Sequence, residues 1–179
     1  MNRSRALGIV ALITVGLTAV GLARVRSPLQ SILEETIGGT ISATRVITHD
    51  AKLTGDVTCT VQGMPCLQLN ASSIKLDLNG FTITGLGDPS TGCQSSRVVG
   101  EEGIAVTNQH DVTIQGPGLV QRFRADGILI SNSNRAGVVH VTTSTNCMSG
   151  ILLGASSDGH VEGNVSVRNG NTAVPCGGL

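Results

Sequence analysis

The sequence predicts an all-β solenoid, a parallel β-helix with about 23 residues per rung. Three observations carry this. First, Gly103-Ile104-Ala105-Val106 recurs as Gly127-Ile128-Leu129-Ile130 and again as Gly150-Ile151-Leu152-Leu153, at offsets of 24 and 23 residues. Second, each unit alternates aliphatic and polar residues in short runs broken by Gly, Asn, Ser and Asp, which is strand and turn chemistry. No unit carries an apolar stripe long enough for a helix, so helical and leucine-rich repeats fit poorly. Third, the 179 residues include 24 Gly, two Phe and no Trp or Tyr. A core of that composition must be built in narrow layers of small and β-branched side chains.

At the N-terminus, Arg3 and Arg5 precede an apolar run from Ala6 to Ala23 that ends in Gly21-Leu22-Ala23. This is the pattern of a secretory signal peptide over residues 1–23. The run sits at the short edge for a spanning helix, so no permanent membrane span is expected after cleavage. The mature chain is expected in a secreted, periplasmic or cell-surface location. In residues 24–40, Ser27-Pro28 offers an N-cap and first-turn proline. Leu29, Ile32, Leu33 and Thr36 follow on one helical face. A short capping helix is predicted here, covering the first rung, because an open solenoid end exposes core and strand edge.

Residues 41–179 are assigned to the β-helix. An early unit runs from Cys66-Leu67-Gln68-Leu69 through Ile74–Leu78 to Phe81-Thr82-Ile83. Between Gly85 and Gly103 one rung swells into a loop. The later units keep register: Val112, Ala136 and Gly159 align, then Ile114, Val138 and Val161. Ile104 and Val106 are expected inside, with Ile128, Ile130, Ile151 and Leu153 stacked on them. Asn108 aligns with Asn132, and Asn146 with Asn169. Such residues suit αL turns and amide ladders. Cys176-Gly177-Gly178-Leu179 reads as the start of another anchor, so the domain is expected to be incomplete at that end.

The five cysteines are Cys59, Cys66, Cys93, Cys147 and Cys176. An exported chain keeps disulfides, and Cys59 with Cys66 is the favoured pair across a short Gly/Pro loop. The odd count leaves at least one thiol free, paired between chains or missing its partner. No Cys-x-x-Cys occurs, so a zinc site is not expected. Lys and Arg total 12 against 12 Asp and Glu; without a basic field or a phosphate loop, no nucleic-acid partner is expected.

The stretch Leu76-Asp77-Leu78-Asn79-Gly80-Phe81-Thr82-Ile83-Thr84-Gly85, followed by the Gly-Ile anchors, resembles the exported right-handed parallel β-helix repeat proteins. These belong to the pectate-lyase-like group of carbohydrate-binding proteins and sugar hydrolases. The likeness covers approximately Val46 to Asn171. It implies a right-handed, single-stranded parallel β-helix and a connection to polysaccharides. For activity it implies little, since the group includes lyases, hydrolases, epimerases and proteins without demonstrated chemistry.

In the enzymes of that group, acids and an Arg or Lys sit on the outer face of one stacked strand. Here the corresponding outward row is Gln68, Ala105, Leu129 and Leu152, with no acid or base. Such an apolar row implies cover or a partner surface. The remaining catalytic candidates are Arg122, Arg124 and Asp126, expected as a solvated turn cluster. Asp126-Gly127-Ile128 matches part of the polygalacturonase pattern. Its neighbours Arg124-Ala125 and Leu129 depart from that pattern, and Gly159-His160-Val161 matches only half of the second piece. His49, His110, His140 and His160 share no spacing and read as exposed turn or strand residues. An epimerase would want a Tyr. No cofactor is expected; calcium is the one ion for which candidates exist, in Asp88, Glu101 and Glu102, but one acidic loop rarely supplies the six or more oxygens calcium takes, so these acids read as a solvated loop. The function expected is a non-catalytic binding or scaffold module with a polysaccharide or protein partner. The alternative is the N-terminal part of a polysaccharide lyase, hydrolase or epimerase whose catalytic rungs lie beyond Leu179.

Overall fold

A computed structural model describes residues 34–87, 93 and 100–170. Among these residues the chain is all-β, and every pairing between strands is parallel. The strands are β1 (Glu35–Ile41), β2 (Arg45–Ile47), β3 (Ala51–Cys59), β4 (Leu67–Leu69), β5 (Lys75–Asp77), β6 (Thr82–Thr84), β7 (Ile104–Thr107), β8 (Thr113–Gln115), β9 (Leu119–Gln121), β10 (Ile128–Ser131), β11 (Gly137–Val139), β12 (Thr142–Ser144), β13 (Ile151–Gly154), β14 (His160–Glu162) and β15 (Val165–Val167).

They form a solenoid-like arrangement of three stacks. The first is β2-β4-β7-β10-β13. The second runs from the start of β3 through β5, β8 and β11 to β14. The third runs from the end of β3 through β6, β9 and β12 to β15. Each turn of chain visits the stacks in that order, so residues one repeat apart become neighbours across a strand pair.

The aliphatic rows fall where the repeat puts them. Leu67, Ile104, Ile128 and Ile151 are in register, as are Leu69, Val106, Ile130 and Leu153. In the second stack Leu76, Ile114, Val138 and Val161 align. All of these are 0% exposed except Leu153, which is half-buried, and Val161, which is 42% exposed in the last rung. Each fully buried Ile or Leu contributes about 2 kcal/mol by leaving water. The third stack changes character along its length. Its inward row begins Val57, Ile83, Val120 and continues as Thr143 and Ser166. The Thr143 hydroxyl is buried with no hydrogen-bond partner.

The corners are as regular as the strands. Asn108, Asn132 and Ala155 have φ of 56°, 48° and 48°; Asp111, Arg135 and Asp158 have 56°, 52° and 55°; Arg122, Thr145 and Arg168 have 58°, 52° and 54°. These sets repeat at the rung offset. Non-glycine residues adopt this left-handed region only at a cost, so the bend between stacks dictates the conformation whatever residue occupies it.

The anchor glycines are required by packing. A Cβ on Gly127 would lie 2.7 Å from the Gly150 carbonyl oxygen and 2.6 Å from the Asn146 amide nitrogen. One on Gly150 would overlap the hydroxyls of Thr143 and Ser166. The anchor thus begins where the interior of one rung presses on the backbone of the next.

The described end of the N-terminal segment differs from the expected helix. Residues 35–40 of the segment assigned to a cap lie in β1, and Thr36 is a strand residue. Gly38-Gly39 disfavours helix, and β1 gains a ladder with β3, including Glu35 N–H to Asp50 O at 2.8 Å at its start. The β-structure therefore starts before residue 41. Residues 24–33, with Ser27, Pro28, Leu29, Ile32 and Leu33, and the signal sequence lie outside the described residues.

Two cysteine pairs are at disulfide distance. Cys59 pairs with Cys66 as expected (Cα–Cα 6.0 Å), and Cys93 pairs with Cys147 (Cα–Cα 5.4 Å). The second ties the long loop to the turn after β12, two rungs on. Such pairing fits an oxidising, extracellular environment. Among the described residues no helix is long and apolar enough to cross a membrane.

Candidate functional site

Asp126, Arg124 and Arg122 lie in the turn between β9 and β10. This turn packs against two other pieces of chain: the return leg of the long loop, Gly100–Glu102, and the loop that leads to Cys66. Main-chain bonds join the three. Cys66 N–H donates to Glu102 O at 2.9 Å, Ala125 N–H to Glu101 O at 3.3 Å, and Gly103 N–H to Asp126 O at 3.1 Å. The return leg thereby occupies the place of a corner in the stack.

The side chains complete that splice. The Arg124 guanidinium pairs with Glu101 through both carboxylate oxygens; the Nη2–Oε1 distance is 2.8 Å. Glu101 Oε1 also accepts the Gly63 N–H at 2.7 Å. Glu101 is 7% exposed. Two charged groups leave water together here and satisfy each other, which is the condition for burying them. Glu102 is 3% exposed, and its Oε1 accepts the Gly100 N–H at 3.3 Å.

Asp126 departs from the solvated cluster that its sequence context implies. It is 0% exposed, and its Oδ1 accepts the Ser149 N–H one rung on, at 2.8 Å. The rung geometry points this turn inward, so a carboxylate here serves the backbone of the next corner. Arg122 stands at a left-handed corner, exposed, with its Nε donating to Gly87 O at 3.3 Å. The three candidates are neighbours in sequence, yet each is directed to a different partner.

Of the calcium candidates, Glu101 and Glu102 lie side by side on the return leg. Glu101 is buried and bonded to Arg124 and Gly63, which corrects the expectation of a solvated loop acid. Asp88 lies outside the described residues. Among the described residues no three His, Cys, Asp or Glu side chains are grouped to hold a metal. The cleft beside the splice, lined by Met64, Leu86, Phe123 and Arg124 among others, holds about one water molecule. A sugar ring does not fit in it.

The outward row of the first stack aligns as expected, Gln68 with Ala105, Leu129 and Leu152. Ala105 is 3% exposed, and the other three are half-buried. Val46 extends the row upward and is 49% exposed.

The asparagine rows divide the two roles foreseen for them. Asn108 and Asn132 take the left-handed corner. Asn146 and Asn169 form the ladder: Asn146 Nδ2 donates to Asn169 Oδ1 at 2.9 Å, and Asn146 Oδ1 accepts the Phe123 N–H at 3.0 Å. Phe123 holds the same position one rung earlier and is 4% exposed.

One polar group was missed. Arg135 donates to both carboxylate oxygens of Asp111 at 2.7 and 2.8 Å, and His110 Nδ1 lies 2.8 Å from Asp111 Oδ2. Hydrogen bonds from Arg135, then His110, hold the Asp111 carboxyl well below the usual carboxylate range. The signal was available: Asp111 and Arg135 are 24 residues apart, one rung at the same corner. The four histidines are all exposed.

No family model, no curated protein and no solved structure matches the chain.

Proposed function

We propose that this chain is a right-handed parallel β-helix module of an exported protein, and that it binds or scaffolds an extracellular partner, a glycan or a protein, without catalysing a reaction. The observation that carries the reading is the commitment of the acidic and basic candidates to the fold. Asp126 serves the Ser149 N–H, and Glu101 is held by Arg124 and Gly63. Lyase or hydrolase chemistry needs such groups aimed at a substrate. What faces outward on the first stack is instead the row Val46, Gln68, Ala105, Leu129 and Leu152, without a titratable group. The two disulfide-distance pairs support an oxidising location.

The test pairs turnover with binding. The purified protein is incubated with acidic and neutral polysaccharides, following ultraviolet absorbance for unsaturated uronates and reducing ends for hydrolysis. The same polymers are cast into native gels to detect retardation. No turnover is expected, with retardation by a polymer or capture of a cell-surface protein. Turnover abolished by Asp126→Asn or Arg122→Ala would overturn the reading. Secretion is tested by mass spectrometry of the exported product, expected to begin near Arg24. A crystal structure tests the handedness.

A further inference from the structure

We infer that Asn70 is a modification site, an asparagine that receives an N-linked oligosaccharide as the chain is exported. This rests on the export reading proposed above. The acceptor pattern for such a glycan is Asn-x-Ser or Asn-x-Thr, with x other than Pro, on an accessible loop. The sequence holds it three times, as Asn2-Arg3-Ser4, Asn70-Ala71-Ser72 and Asn164-Val165-Ser166. Asn2 lies in the expected signal peptide. The structure separates the other two.

Asn70 directly follows β4, at the corner that leads to β5. It is exposed, and by strand alternation it lies on the side of Gln68, away from the buried Leu69. Its N–H donates to Ile47 O at 2.8 Å, so the main chain holds the corner while the side chain stays in solvent. A hydrated glycan on Nδ2 meets no core there. Asn164 is the opposite case. Its Oδ1 accepts the Val141 N–H at 2.7 Å, and its Nδ2 donates to Val138 O at 2.6 Å. That amide is clamped between two rungs, and a sugar on it would wedge the corner open. Ser166, the hydroxyl of the same pattern, is turned into the third stack, where a Cβ on Gly150 would lie 2.4 Å from its Oγ.

Chain order reinforces the difference. In the folded chain the Ser72 hydroxyl bonds Gln109 Oε1 and the His110 N–H, each at 3.1 Å, and these partners emerge 37 and 38 positions later. The Asn164 partners precede it by 23 and 26 positions. The first pattern is thus presented before its corner can close, and the second enters a corner already waiting. The donor is an oligosaccharide carried on a polyisoprenyl pyrophosphate. Nδ2 of Asn70 forms a bond to the anomeric carbon, and the bond from that carbon to the pyrophosphate oxygen breaks. The lipid pyrophosphate leaves with the electron pair, and one amide proton passes to a base of the transferase.

The test translates the full chain with endoplasmic-reticulum microsomes and recovers the chains protected inside the vesicles. Their folded fraction is taken by resistance to trypsin after detergent lysis. One glycan per chain is expected, removed by peptide N-glycosidase with conversion of Asn70 to Asp in the peptide mass spectrum. Asn70→Gln and Ser72→Ala should each abolish the mobility shift, and Asn164→Gln should leave it. Protected, signal-cleaved chains without a glycan at Asn70 overturn the inference and leave the export reading standing. A folded fraction glycosylated at Asn164 overturns it too. Chains left outside the vesicles with the signal attached overturn the export reading, and the inference with it.

Discussion

Replacing Asn146 by Ala removes the centre of the buried amide ladder, and the structure sets the size of the loss. The side chain is 0% exposed. Its Oδ1 accepts the Phe123 N–H at 3.0 Å, and its Nδ2 donates to Val120 O at 3.2 Å and to Asn169 Oδ1 at 2.9 Å. Alanine leaves the Phe123 N–H buried without that acceptor, a penalty of about 1–3 kcal/mol. Losing the two donated bonds adds about 1 kcal/mol each. The expected total is about 3–5 kcal/mol, or roughly 10 °C in Tm for a domain of this size. Asn108→Ala is the control, because Asn108 is exposed and acts through its left-handed backbone; it should cost about 1 kcal/mol or less. Urea unfolding followed by circular dichroism measures both. Equal costs at the two positions, or a loss under about 1 kcal/mol at Asn146, would refute the ladder as a source of stability.

Further perturbations probe other links. Ile128→Asp puts an unpaired charge in the centre of the first-stack row and should cost about 3–5 kcal/mol; an unchanged melting curve would disprove the rung register. Gly150→Ala sets a methyl against the Thr143 and Ser166 hydroxyls and should cost about 1–3 kcal/mol by overpacking, measured by the same urea titration. Cys93→Ser with Cys147→Ser opens a loop between residues 54 apart; chain entropy gives an upper limit of about 4 kcal/mol for that loss, read as the fall in Tm relative to the parent. Asp111 has a depressed folded pKa, so its contribution is present above the unfolded value near pH 4 and is lost as pH falls toward the folded one. Asp111→Asn should therefore lower Tm at pH 7 and approach the parent toward pH 2; a constant gap across that range would contradict the linkage.

How much of this was legible in the sequence depended on the repeat. Wherever two units differ by 23 or 24 residues, alignment alone identified the pairing, as for Ile128 with Ile151 or Val138 with Val161. The long loop broke that arithmetic. Leu67 pairs with Ile104 across 37 positions, and nothing in the local sequence says that Gly100–Glu102 returns as a corner. Glu101 therefore read as a loop acid. The end of the N-terminal segment, residues 35–40, departs from the expected helix for another reason. Thr36 closes a helical stripe in the sequence, but from Glu35 onward the chain satisfies its backbone as β1 against β3. Asp126 read as solvated because turns are usually exposed; in this stack the corner after β9 faces inward.

The fate of Asp126 bears on how polar residues should be read in any coil of this kind. A short rung has many corners, and each corner leaves backbone N–H groups that must find acceptors. The chain meets that need with side chains from the neighbouring rung. Asp126 serves Ser149, Asn146 serves Phe123, Asn164 serves Val141 at 2.7 Å, and Asn169 serves Asn146 at 3.0 Å. All four bonds span 23 residues, one rung. An acid or amide at such a corner thus serves the backbone of the neighbouring rung before any substrate is considered. A catalytic claim for such a residue needs a carboxylate or amide that the adjoining corner does not consume. By that criterion Asp126 belongs with Asn146 and Asn164, because its Oδ1 is taken by the Ser149 N–H of the adjoining corner.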